Sequence, residues 1–297
     1  MEETKFCNLC PRQCGVDRRT TVGFCGMGKN LVVSHYMIHH YEEPIISGKS
    51  ECDKRGSGAI FFTGCNLACS YCQNYKISHQ KFGKECAVQR LVEIIKELEH
   101  LGAYNINFVT PTHFSDQIIE ALKLYKPKVP VVWNTSGYEM PEQIEKLRGY
   151  VDIFLTDLKY YSKEASMLSN ASDYFEYASK SLKKMREICP DDIIENGIMQ
   201  KGLIIRHLVL PNYTNDSANI LKFIANEIGK DTIVSLLSQY EPYYNAVQDT
   251  KINRRITKLE YKRLVQLALA LGLNNTYVQD QCSSDVKYVP VFNPNKI

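Results

Sequence analysis

Cys65, Cys69 and Cys72 are the residues whose type and spacing say most about chemistry. Three residues separate the first pair and two separate the second. The apolar run Gly58-Ala59-Ile60-Phe61-Phe62-Thr63 feeds into them, so they belong to a loop that leaves a strand. Three thiolates in one short loop grip soft metal ions. They are one ligand short of a structural zinc site, which takes four. A cubane iron–sulfur cluster held by three thiolates leaves one iron without a protein ligand, and a bare iron is a place for chemistry. The bland alternative is a chance trio of buried thiols or a fragment of a zinc site.

A second group lies near the N-terminus: Cys7, Cys10, Cys14 and Cys25, with Pro11-Arg12 inside it and a polar, turn-prone stretch from Gly15 to Gly23. Four thiols can close an all-cysteine site, for structural zinc or for a second iron–sulfur cluster. Spacing does not choose between these, and free cysteines on a flexible arm are the alternative. The run from His35 to Gly48 bridges this arm to the rest. Its three histidines make an unconvincing metal site, and the paired acids Glu42 and Glu43 read as solvated loop residues.

Bulk properties narrow the class. The chain has 297 residues, enough for one or two domains, with division expected between a cysteine-rich arm over 1–54 and a second unit over 55–297. A net charge of +3 predicts no strong attraction to nucleic acid or an anionic membrane. No apolar run reaches the ~18 residues of a membrane span. Eleven cysteines, an odd number behind a charged start, Met1-Glu2-Glu3-Thr4-Lys5, argue for metal binding in a reducing cytoplasm over a disulfide scaffold.

The loop Cys65-x3-Cys69-x2-Cys72, with Tyr71 before its last cysteine, resembles the signature of the radical S-adenosylmethionine (radical SAM) superfamily. The arm cysteines, the run Glu42-Glu43-Pro44-Ile45-Ile46-Ser47-Gly48 and Gln73-Asn74 after the loop resemble its pyruvate formate-lyase activating enzyme-like branch. The resemblance implies a [4Fe–4S] cluster on the three cysteines, with SAM chelated at the open iron. It implies reductive cleavage of SAM to a 5′-deoxyadenosyl radical that takes hydrogen from a substrate. It also implies a flavodoxin- or ferredoxin-type electron donor.

The elements that position these residues alternate. Apolar strands are expected at 59–63, 106–110, 129–133, 153–156, 203–210 and 232–237. Amphipathic helices are expected at 87–101, 116–124, 142–147, 172–187, 217–228 and 257–271. Such alternation means parallel strands with helical crossovers, an α/β fold. Six units match the partial (β/α)6, TIM-like barrel of the resembled superfamily. Function in such barrels sits at the C-terminal strand ends. That rule gathers Pro111, Thr112 and His113, then Asn134, Thr135 and Ser136, then Asp157 and Lys159, Arg206 with His207 facing the other way, and Gln239 with Tyr240.

By resemblance, Tyr71, Asn134, Thr135, Asp157, Lys159 and Arg206 bind the cofactor. Asp157-Leu158-Lys159 is similar to an Asp-x-Lys element of glycyl-radical activating enzymes. A salt bridge at the rim is the plain reading of that pair, an interior ion pair that of Arg206, and a hydrogen-bonded rim residue that of His113. The turn Thr110-Pro111-Thr112-His113 departs from the Gly-Gly-Glu-Pro type common in the superfamily, which leaves the holder of the SAM amino group open. Cys282 in the tail reads as an inert thiol. Three functions stand together: activation of a glycyl-radical enzyme, radical chemistry on a small molecule or other peptide, and a non-catalytic iron–sulfur carrier or zinc module.

Overall fold

The computed structural model describes residues 6–48, 54–279 and 292–297, so Cys282 lies outside the described residues. Ten strands form its framework: β1 (Leu31–His39), β2 (Ser57–Phe62), β3 (Lys84–Cys86), β4 (Asn105–Val109), β5 (Val131–Thr135), β6 (Ile153–Asp157), β7 (Ile193–Glu195), β8 (Ile198–Leu208), β9 (Ile233–Leu237) and β10 (Thr276–Val278). Their order is β10-β9-β8-β6-β5-β4-β2-β1-β3, with β7 paired to β8 off this path. From β2 to β10 all neighbours on the path are parallel, whereas β1 runs antiparallel to both β2 and β3. The barrel is therefore partial, with β3 and β10 at its two edges.

The six expected strands are β2, β4, β5, β6, β8 and β9. Between them run α2 (Tyr75–Ser78), α3 (Val88–His100), α4 (Ser115–Leu124), α5 (Pro141–Glu145), α6 (Lys163–Ser166), α7 (Tyr174–Ile188) and α8 (Thr214–Phe223), and α9 (Lys258–Ala270) follows β9. α1 (Pro44–Ser47) is a single turn before β2. On α3 the residues Leu91, Ile94, Ile95 and Leu98 are buried, the stripe its periodicity demands. Thr257 and Glu260 form a reciprocal capping box that starts α9.

Alternation sorts each strand into two faces. Ile60, Phe62, Phe108, Trp133, Phe154 and Leu203 face the helices and build the main core. The opposite face lines the lumen. There Ile45 and Ile46 of α1 pack on Val132, Ile153, Leu155, Ile204 and Ile233 and plug the floor of the barrel. Burying each isoleucine contributes about 1.5–3 kcal/mol.

Several boundaries differ from expectation, and each difference has a cause. β5 begins at Val131 because Pro130 has no N–H for the ladder. It then runs on through Asn134 and Thr135, which therefore face opposite sides instead of sharing a loop. β8 begins at Ile198, earlier than expected, because Asn196 and Gly197, both at positive φ, turn it back on β7. β1 and α1 were expected in the arm. Both pack with the barrel.

Candidate active site

Gly64, at φ +84°, turns the chain out of β2 into the cysteine loop, and its N–H donates to the Ile77 carbonyl at 2.9 Å. Beyond it Cys69 is buried, and Cys65 and Cys72 are half-buried. Each sulfur has a polar neighbour. Leu67 N–H donates to Cys65 Sγ at 3.4 Å, the Ser169 hydroxyl donates to Cys69 Sγ at 2.8 Å, and the Ser78 hydroxyl stands 3.1 Å from Cys72 Sγ. Tyr71 does not present its hydroxyl to the lumen. It hydrogen-bonds Tyr160 at 2.5 Å, Tyr160 bonds Ser169 at 2.5 Å, and the chain of hydroxyls ends on the Cys69 sulfur. Burial pushes the Cys65 thiol well above its ordinary value and Cys72 up to about 11, while the Lys159 ammonium acts on both in the opposite sense.

A charged network lies across the lumen at the strand ends. Arg206 donates to Asp157 Oδ1 at 3.0 Å, Glu42 Oε2 at 3.1 Å and Asn134 Oδ1 at 2.5 Å. Lys159 Nζ reaches Asp157 Oδ2 at 2.6 Å. Asn107 and Asn134 donate to Glu42 Oε1 at 3.3 and 3.2 Å. Burial pushes Asp157 up, but Lys159 and Arg206 together outweigh it and hold the carboxyl below its usual range. Burial dominates at Glu42 and raises it despite Arg206. The pairs are partly open to solvent, with side chains 16% exposed at Arg206 and 18% at Lys159, so water reaches this lumen.

Glu42 corrects an expectation. The paired acids are not solvated: Glu43 is buried, and Glu42 reaches from the turn before α1 to mid-lumen, where it meets Arg206. Asn107 was missed as well. Its signal was available, a polar residue between Ile106 and Phe108, two positions after Asn105 on the same face of the strand. Ser169 and Tyr160 carried no such signal, because what gives them meaning is contact with a loop far away in sequence.

The remaining candidates separate into two places. Asn134, Asp157, Lys159 and Arg206 converge on the lumen. Thr135 does not: its hydroxyl donates to Glu139 Oε1 at 2.6 Å on the helix-facing side, with Thr112 and Trp133 donating to the same oxygen. Burial pushes the Glu139 carboxyl up to about 7 against those three donors. His113 is buried and its Nε2 lies 2.7 Å from the Thr63 carbonyl. His207 turns away from Arg206, as the strand period requires, and meets Leu158 O and Ser217 Oγ. Tyr240 packs edge-on to Tyr71.

The arm cysteines gather against this loop. Cys14 and Cys25 sulfurs lie 3.5 and 3.7 Å from where a Cβ on Gly23 would sit, and Cys25 is within charge range of Cys7 and Cys14. Among the described residues no three His, Cys, Asp or Glu side chains are arranged to hold a single metal ion. No helix among them is long and apolar enough to cross a membrane.

The sequence pattern of the radical SAM superfamily matches residues 59–224, more than half of the chain. The chain belongs to the radical SAM superfamily. An uncharacterized protein of Methanocaldococcus jannaschii is 32% identical over 283 residues, covering 92% of this chain and 77% of that protein. The pyruvate formate-lyase-activating enzyme of Clostridium pasteurianum is 25% identical over 214 residues, covering 68% of this chain and 82% of that enzyme. Among solved structures, methylornithine synthase superposes with a TM-score of 0.49 at 10% identity, over 73% of this chain and 64% of that one.

The residues present fit the cofactors that radical SAM enzymes use. A cubane wants thiolates with hydrogen bonds to sulfur and a dry, partly open setting. Cys65 and Cys69 each accept such a bond, and Lys159 supplies a nearby cation. A zwitterionic ligand wants charges of both signs within reach of solvent, which Asp157, Lys159 and Arg206 provide.

Proposed function

We propose that this radical SAM enzyme activates a protein partner by removing a hydrogen atom from a backbone glycine. Cys65, Cys69 and Cys72 would hold the [4Fe–4S] cluster, and Asn134, Asp157, Lys159 and Arg206 would hold SAM. When bound, these groups supply the one-electron opening of the sulfonium to methionine and a 5′-deoxyadenosyl radical that abstracts hydrogen. The chain's own part is orientation and charge. Asp157 holds Lys159 and Arg206 in place, Glu42 fixes Arg206 from below, and the tyrosine–serine chain sets Cys69.

The observation that carries this reading is the Lys159–Asp157–Arg206 bridge bordering three thiols, since an electron carrier or zinc module has no use for a charged lumen. The glycine substrate rests on likeness to an enzyme named for activating pyruvate formate-lyase. An acidic flavodoxin- or ferredoxin-type protein suits the role of donor.

A small-molecule substrate is the second reading. Glu43 Oε2 and Asn107 Oδ1 are buried acceptors with no hydrogen-bond partner among the described residues, which suits a compact ligand with donor groups. Incubating the reduced enzyme and SAM with a glycyl-radical protein from the same genome distinguishes the two. The first reading expects a glycyl doublet in the partner's electron paramagnetic resonance spectrum. SAM turnover with a silent partner would move the assignment to the second.

A further inference from the structure

The arm is folded as a ligand cage. Cys7 N–H donates to Val16 O at 2.9 Å and Gly15 N–H donates to Cys7 O at 3.0 Å, closing Cys7, Cys10 and Cys14 into one knuckle. A second loop, closed by Gly23 N–H to Met27 O at 3.2 Å, brings in Cys25. Phe24 N–H donates to Cys14 Sγ at 3.2 Å, a bond that a thiolate accepts best. The sulfurs of Cys14 and Cys25 both border Gly23, 3.5 and 3.7 Å from where a Cβ there would sit. Four cysteines carried on two such closed loops are what a bound metal can hold together.

The position of the group favours a cluster over one ion. It packs beside the loop of Cys65, Cys69 and Cys72, where a second redox-active group can exchange electrons and a zinc ion, which has no redox chemistry, cannot.

The cage is also joined to that loop. Arg12, between Cys10 and Cys14, donates to Asn66 O at 2.8 Å, Asn170 O at 2.6 Å and Ser169 O at 3.3 Å. The Cys25 carbonyl lies 2.7 Å from where a Cβ on Gly64 would sit, so the two loops meet backbone to backbone. Phe6, Val22 and Phe24 of the arm are 57%, 49% and 44% exposed.

We infer that Cys7, Cys10, Cys14 and Cys25 ligate a second iron–sulfur cluster, which passes electrons one at a time to the cluster on Cys65, Cys69 and Cys72. The balance is simple. The arm cluster loses one electron as the second gains one, and the donor protein then re-reduces the arm. The relay rests on the radical SAM reading above, but the metal site does not.

Two measurements separate them. In a variant with Cys65, Cys69 and Cys72 changed to Ala, purified without oxygen, we expect at least two irons and matching acid-labile sulfide per chain, because [2Fe–2S] and [4Fe–4S] both take four cysteines. A chain with no iron, or with one zinc instead, overturns the site. Should that variant fail to fold, the Cys14→Ser/Cys25→Ser variant serves: its iron must fall by one cluster against the wild type, and unchanged iron overturns the site. In the same double variant, 5′-deoxyadenosine release driven by reduced flavodoxin should drop at least tenfold, while release driven by dithionite stays within about twofold. Equal rates with flavodoxin, or equal losses with both reductants, overturn the relay.

Discussion

The Ser169 hydroxyl donates to the Cys69 sulfur at 2.8 Å, joining residues 100 positions apart. It lies at the end of a hydroxyl chain from Tyr71 through Tyr160, so its proton has one direction to point. A hydrogen bond to a cluster sulfur spreads negative charge and favours the reduced state. Ser169→Ala removes it and keeps the backbone. If the bond is worth about 1 kcal/mol, the midpoint of a one-electron couple falls by on the order of 40 mV. A redox titration followed by electron paramagnetic resonance reads this directly, and an unchanged or higher midpoint speaks against the bond.

Arg206 holds two carboxylates, Asp157 and Glu42, in a lumen that is partly open to water. Arg206→Met leaves both without their shared cation. Removing one partner of a buried ionic group costs about 3–5 kcal/mol, and partial exposure places this case near the lower end. Urea unfolding should show that loss, and adding Glu42→Gln should recover part of it because the two sites are coupled. A loss well under 1 kcal/mol would mean that water already satisfies the two acids.

The floor and flanks of the lumen show what the sequence could and could not reveal. The cysteine loop, the parallel strands and the inward Asp157, Lys159 and Arg206 follow from spacing and period alone. Thr135 was misplaced because β5 stays paired with β6 as far as Thr135 and Thr156, which turns a loop residue into a strand residue facing Glu139. Glu42 read as solvated because acidic pairs usually are. Only the fold brings β8 to it and supplies the guanidinium that makes its burial tolerable. The contact of Ser169 with Cys69 has no local signature at all.

Glu139 gives stability a distinctive pH dependence. Its folded value of about 7 lies above that of the unfolded chain, so the folded state holds the proton more tightly. Its contribution is complete below the ordinary glutamate range and is lost as pH rises through about 7. Glu139→Gln should therefore flatten the fall in stability between about pH 4.5 and pH 7, by on the order of 3 kcal/mol. Parallel slopes for wild type and variant in that window would show that its three donors keep the carboxylate charged.

The central claim is that the Cys65–Cys72 loop and the Asp157–Lys159–Arg206 lumen work together to cleave SAM. The direct measurement is 5′-deoxyadenosine and methionine released from SAM by the oxygen-protected, iron-loaded and dithionite-reduced enzyme, compared with the Cys69→Ala variant. Equal amounts of the two products from the wild type, and neither from the variant, are the result expected. A fully loaded wild-type cluster that leaves SAM intact would contradict it.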